Sequence, residues 1–466
     1  MRRRLSALAA LMAAAALACA GPGGAPAPRI EIPTLAGSAA RPALVVMVSL
    51  AGLGADRYRG AAQASMPALA ALAEAGVSAD AVEGVTPASA YPAHATLVTG
   101  EVPAAHWITA DRMLGAQGVR TLHFSHASRL RVPTLWQRSA EAGGRVAALA
   151  WPTTVGAEIA LRLPDLEPVR SGDTWLGVLA DAATPEVLAL ARAAGGEAPA
   201  ANAPGAARDR VLVGVACSLL ESPQPPALLL LHLSQTEPPL FVHGPGSPEA
   251  DAAFEQADRE IARLFACLRR GPARDSAALL VMGDRGFAPA HSAFAPNTAL
   301  AKAGLMTPAP GLDAGVVQWS AIVRSNGGSA FVYAQKERDA VLARSALAAE
   351  ARVGSFRVVA ADELLRGGAD PEAWFGLEAE PGFVFGDAVQ GPFLAPAAIR
   401  GASGYLPSRA EMNTGFVAWG RGLRTRVRIP RMRQTDVAPT AARLLGVALG
   451  EVSGRPLIGA LDLPPR

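Results

Sequence analysis

Four apolar runs punctuate the chain: "ALVVMVSLAG" (43–52), "RVAALAWP" (145–152), "PALLLLHLS" (226–234) and "AALLVMGDRG" (277–286). None alternates apolar with polar positions, so each predicts a strand buried on both faces, as in a parallel sheet. Three of the four end in glycine or polar residues, which puts the reactive side chains at the C-terminal strand ends. Between these runs apolar positions recur with helical spacing, over 67–75 and most plainly over "EADAAFEQADREIARLFACLRR" (249–270). A further strand is expected to end at Val85, followed by a Pro-bounded turn of small residues and a helix from near Pro92. The alternation predicts an α/β fold with a mostly parallel central sheet and helices on both faces. Across 300–400 short β-like stretches such as "GSAFVYAQ" (328–335) alternate with helical ones such as 337–351, which suggests a small subdomain inserted into the main sheet. Residues 193–208, rich in Ala, Gly and Pro, are expected to form an exposed loop.

The N-terminus changes this picture first. Arg2, Arg3 and Arg4 precede an unbroken apolar run from Leu5 to Ala20, a secretory leader pattern too short for a comfortable membrane span. Two processing routes fit. Ala18-Cys19-Ala20 matches an A-x-A cleavage site, whereas Ala16-Leu17-Ala18-Cys19 is similar to a bacterial lipobox and would leave Cys19 lipidated. The expected organisation is a signal peptide over 1–19, a Pro/Gly/Ala linker over 20–42 and one domain over 43–466, exported to a bacterial envelope or periplasm. A lipid on Cys19 would be the only membrane attachment.

Half of the residues are hydrophobic and 18% are charged, ample for a large core. The formal charge of +3 equals the three leader arginines and vanishes with them. No basic footprint for nucleic acid or polybasic membrane patch remains. Cys217 and Cys267 stay in the mature chain, and their spacing fits a disulfide or two buried thiols equally.

Five motifs occur in order along the chain: "VVMVSLAGLGADRY", "TPASAYPAHATLVTG", "HGPGSPE", "VMGDRGFAPAHSAFAPN" and "TDVAPTAARLLGV…GRPL". Together, over roughly 43–460, they resemble the type I phosphodiesterase/nucleotide pyrophosphatase family of the alkaline phosphatase superfamily. The resemblance implies an alkaline-phosphatase-like fold and two divalent cations, usually zinc, held by Asp and His at strand ends. It also implies a Thr or Ser nucleophile between the metals. Metals of this kind neutralise the transferring phosphoryl group and lower the nucleophile's pKa.

Carried over position by position, the resemblance places its metal-ligand slots on Ala51, Glu237, Phe241, Asp284, Arg285 and Ser403. Only Asp284 matches, Glu237 is a plausible substitute, and no slot holds histidine. Pro87, Tyr91, Pro92 and His94 keep the frame of the nucleophile motif, while the nucleophile slot is Ala90. The Asn that would bind phosphoryl oxygens is replaced by Asp111 in "HWITAD". No cofactor or catalytic residue is therefore expected, and Asp284, Arg285 and Glu237 are expected to form an ion pair in place of the metals, because unpaired buried acids are costly and a guanidinium can pair with carboxylates. A rival role for Arg285 is binding an anionic ligand.

Other readings stay open at this point. Ser89 is a nucleophile only if the loop register shifts, against Tyr91-Pro92. His94, His106 and His291 fit packing or hydrogen bonding, and His123 and His126 a loop-like surface stretch. His232 or His243 would rebuild a one-metal site only with a second imidazole near Asp284, which the sequence does not reveal. The leading expectation is an inactive phosphodiesterase-like protein with a binding or scaffolding role and an unknown partner. The alternative is a divergent phosphoric-ester hydrolase with one metal or none. A glycan-binding protein using the old cleft is a third class, with only Trp107 among seven tryptophans near the motifs.

Overall fold

The structure, a computed structural model, describes residues 30–33, 40–166, 173–195, 205–311, 315–351 and 355–464. The leader, Cys19, most of the 20–42 linker and residues 196–204 of the expected loop lie outside the described residues. The described ends of that loop are helical, closing one helix at Gly195 and opening the next at Gly205.

Among the described residues, nine strands build the central sheet: β1 (Leu44–Leu50), β2 (Val77–Glu83), β3 (Val146–Leu149), β4 (Leu161–Leu163), β5 (Leu228–Leu233), β6 (Ala277–Gly283), β7 (Thr414–Gly420), β8 (Val427–Ile429) and β9 (Met432–Arg433). Their order is β8-β2-β7-β6-β1-β5-β3-β4, with β9 also pairing β2. β1 runs parallel to β5 and β6, which sets Ser49 beside both His232 and Met282. β7 is antiparallel to both of its neighbours. Every residue of β1, β5 and β6 is buried, the physical reason for their continuous apolar runs.

Six helices matter for the site: α1 (Pro67–Ala75), α2 (Ala90–Thr99), α3 (Gly205–Leu220), α4 (Glu237–Val242), α5 (Pro248–Arg270) and α6 (Val437–Leu445). Side chains alternate across a strand, so Val46, Val48 and Leu50 pack with α1, α3 and α5. Val45 and Met47 face the opposite core, shared with α2 and α6. The two faces are thus covered by different helices, and α2 brings the nucleophile-loop frame onto the second one.

α5 shows why the sequence folds locally as it does. Ser247 caps it by accepting from the Ala250 N–H, Pro248 opens it, Glu249 and Asp251 lie in its first turn, and Arg269 and Arg270 in its last. Each placement satisfies the open amides or the dipole at that end. A disulfide joins Cys217 of α3 to Cys267 of α5, with Cα atoms 5.2 Å apart, which decides the question the spacing left open.

Between β6 and β7 the chain forms a separate four-stranded antiparallel sheet, in the order Ala321–Ser325, Ser329–Ala334, Phe375–Ala379, Phe356–Val359. This sheet, with the helix Glu337–Glu350, has its own core. Among the described residues no helix is long and apolar enough to cross a membrane.

Candidate functional site

The C-terminal ends of β1, β5 and β6 meet around one carboxylate. Gly52, in a left-handed conformation (φ 70°) just after β1, donates its N–H to Asp284 Oδ1 at 3.0 Å. A Cβ there would lie 2.4 Å from Leu240 Cδ1, so glycine is required for both backbone and space. Asp284 Oδ1 also accepts from its neighbour's N–H at 2.7 Å.

Arg285 is the largest polar side chain fully inside the protein, 2% exposed. Its Nη1 donates to Asp284 Oδ2, and its Nη2 to Glu237 Oε1 on α4 at 2.6 Å. Its Nε has no partner among the described residues. The Phe287 ring lies 5.3 Å from the guanidinium carbon, and Phe241 packs edge-on against Phe287. Gln434 ties the turn down by donating to the carbonyls of Gly283 and Asp284 at 3.2 and 2.5 Å.

Burial opposes both charges, yet each stabilises the other. Against its burial, the Arg285 charge holds the Asp284 carboxyl below the ordinary carboxylate range. Against its own burial, Arg285 is pushed further up by Asp284 and then by Glu237.

Behind this pair stand two histidines. His94 of α2 donates from Nδ1 to the Ala90 carbonyl at 2.8 Å, so its Nε2 accepts from His232 Nδ1 at 3.1 Å. Both rings are buried and meet edge to face. Burial lowers the pKa of each, that of His232 to about 3. One ligand atom from each of His94, His232 and Asp284 lies within 4.8 Å of the others. The second imidazole near Asp284 that the sequence did not reveal is therefore His94. His94 comes from a helix and His232 from a strand, 138 residues apart, and only the sheet register and the packing of α2 bring them together. The continuous apolar pattern of β5 was the available signal, since it makes His232 a buried polar residue in an apolar strand.

Ala90 opens α2 directly after Ser89, which is extended and buried, its Oγ without a partner among the described residues. Asp111 Oδ1 accepts from the Tyr91 N–H at 2.8 Å. A carboxylate thus already occupies the first turn of α2, where free amides and the helix dipole would attract an anion. Ala51 offers only its carbonyl, which accepts from Thr236 Oγ1 at 2.6 Å. The Ser403 carbonyl accepts from Gly328 N–H, an attachment to the inserted sheet.

The remaining histidines disperse. His106 is buried against Thr96, His243 is exposed and 3.7 Å from Glu249, and His291 bonds Ser292. His123 is not in a loop; it ends a strand, Gly118–His123, and packs against Tyr91.

The family model for type I phosphodiesterase/nucleotide pyrophosphatase matches residues 45–375. The chain belongs to this family. No curated protein sequence matches it. Among solved structures it is similar to murine ectonucleotide pyrophosphatase/phosphodiesterase 5, an inactive threonine-to-alanine variant in complex with AMP, at TM-score 0.65 and 19% identity, covering 88% of this chain and 97% of that one. The human protein of the same name gives TM-score 0.64 and 18% identity with the same coverage. These likenesses establish the alkaline-phosphatase-like fold.

Members of this phosphodiesterase family usually bind divalent metals, and the residues that the resemblance puts in the ligand slots do not fit two of them. Ala51 and Phe241 have no side-chain donor atom, and Arg285 contributes a permanent positive charge in contact with Asp284 and Glu237. A guanidinium there both occupies the carboxylates and repels a second cation. The nearest remaining donor set is His94, His232 and Asp284.

Proposed function

We propose that this chain is an exported phosphodiesterase-like protein without phosphoryl-transfer activity, acting by binding or scaffolding in the cell envelope. The observation that carries the reading is the buried guanidinium of Arg285 between Asp284 and Glu237, where the family needs cations. Ala90 removes the attacking hydroxyl, and Asp111 sets a negative charge on the α2 amides that a phosphoryl group would need. Covalent attack and metal stabilisation act as a unit, so losing both leaves little of the usual acceleration. In the murine structure it is the threonine-to-alanine variant that is inactive and holds AMP, so in that variant ligand binding survives the loss of activity. The Cys217–Cys267 disulfide supports an oxidising compartment, and a lipid on Cys19 remains the proposed anchor.

The test is zinc content and turnover of bis(p-nitrophenyl) phosphate by the purified mature protein, with and without a chelator. Sub-stoichiometric zinc and no chelator-sensitive turnover are expected. Turnover that a chelator abolishes would overturn the reading.

One observation favours a second reading, a hydrolase rebuilt on one metal. Two imidazoles and a carboxylate within reach of one another suit zinc. Against it, the three are buried and Arg285 repels a cation. Near-stoichiometric zinc that disappears in the His232→Ala variant would decide for this second reading.

A further inference from the structure

A cleft of about 400 Å³ shares no lining residue with the Asp284–Arg285–Glu237 network. It lies between the hairpin of strands Arg112–Gly115 and Gly118–His123 and the inserted sheet. Trp107, Phe124 and Trp319 supply aromatic surface, and Arg131, Arg324 and Tyr333 supply polar groups.

Its floor is a built polar site. Arg324, 3% exposed, donates from Nη2 to Asp370 Oδ2 at 3.0 Å and to the Thr109 carbonyl at 3.2 Å. Asp370 Oδ2 also accepts from Thr109 Oγ1 and Tyr333 OH, each at 2.8 Å, and Oδ1 from the Glu372 N–H at 3.0 Å. The carboxylate is therefore saturated, while Arg324 Nε has no partner among the described residues.

The wall carries strain. Trp107 adopts φ 71°, ψ 12°, a left-handed conformation unusual for a bulky residue and concentrated at ligand-binding sites. Its indole is covered by the Arg131 guanidinium, 3.6 Å from the ring, which fixes a cation and an aromatic plane side by side.

We propose that this cleft binds an acidic oligosaccharide, one bearing a uronate carboxylate. Aromatic faces receive the apolar C–H face of a sugar ring, and the mixed donors and acceptors around them suit its hydroxyls. Guanidinium forks match a carboxylate. Arg324 is balanced by Asp370, and the rim sets Arg129 and Arg131 against Glu372, so one positive charge is in excess. That surplus matches one carboxylate at a time along a uronate chain, whose charges are spaced a sugar residue apart; the acids present would repel the two charges that a phosphate monoester concentrates on one group. The inference rests on the binding reading above and names its ligand class.

Isothermal titration of the full mature protein with trigalacturonate tests it, with galactotriose and AMP as comparators. Saturable binding of trigalacturonate is expected, weaker by about tenfold or more for galactotriose and AMP, the difference one lost charge-assisted contact makes. Trp107→Gly and Arg131→Gln should each weaken it by about tenfold. Trp107→Gly should leave Tm within about 3 °C, because glycine relieves the left-handed conformation while the stacking is lost; if it falls further, Arg131→Gln, on an exposed side chain, decides alone. No saturable binding, equal binding of AMP or galactotriose, or unchanged affinity in Arg131→Gln would overturn the proposal. Phosphodiester turnover is assayed on the same preparations. Turnover alongside sugar binding would sink the inactive reading and leave the cleft standing, whereas loss of sugar binding with no turnover would sink the cleft alone.

Discussion

Arg285 is held on one side by a carboxylate with no exposed side-chain surface and on the other by Glu237, which is one-third exposed. These two contacts are unequal. The exposed partner is screened by water and contributes little, whereas the buried one is what keeps Asp284 from standing charged and alone. Replacing Arg285 by Met is therefore expected to destabilise the fold by about 3–5 kcal/mol in denaturant unfolding, the usual effect of breaking a buried pair. Adding Asp284→Asn should recover part of that loss, since the uncompensated charge goes with it. An unchanged or raised stability in the single variant would sink the ion-pair account and favour the anion-binding role. Residue identity made this pairing legible in the sequence, because adjacent Asp and Arg in a metal-ligand frame leave few alternatives. The His94–His232 contact was not legible, since neither residue occupies a metal-ligand slot and they lie 138 residues apart.

At the scale of elements, α3 and α5 lie on the same face of the sheet and the disulfide joins them across a sequence separation of 50. Closing a loop of that length restricts the unfolded chain. The Cys217→Ala/Cys267→Ala variant is expected to lose about 2–4 kcal/mol, seen as a lower Tm that no longer responds to reductant. A Tm insensitive to reductant in the native protein would mean that the cysteines are thiols. The elements themselves were well marked. Strands β1, β3, β5 and β6 lie within the four apolar runs, and α5 begins within one residue of its pattern, at Pro248. The loop expected over 193–208 was less legible, because alanine-rich sequence fits the end of a helix as well as a loop. The strand that ends at His123 was hidden because its partner, Arg112–Gly115, carries no strong apolar alternation.

Among the described residues three imidazoles are buried, His94, His106 and His232, each with its pKa lowered chiefly by burial, the last two to about 3. A histidine whose folded pKa lies below its unfolded one contributes stability that is complete above the unfolded value, near 6.5, and is lost as pH falls towards the folded value. Asp209 and Asp258 act in the opposite direction. Burial raises them to about 7 and about 6, so they favour the folded state as pH falls through that range. The net profile is flattened, and a variant shows the histidine contribution more cleanly than the wild type. His106→Gln is expected to lose about 2 kcal/mol less than wild type between pH 7.5 and pH 5, read from unfolding curves at both pH values. Parallel profiles would show that His106 is not held neutral.

By itself the sequence determined the family frame and the buried parallel strands, because those are properties of residue type and local spacing. The tertiary structure alone decided that His94 and His232 stand beside Asp284, that Asp111 lies on the α2 amides, and that Trp107 and Trp319 share one cleft. Each of these joins segments distant along the chain, and such contacts follow from strand register and helix packing, which no local pattern encodes.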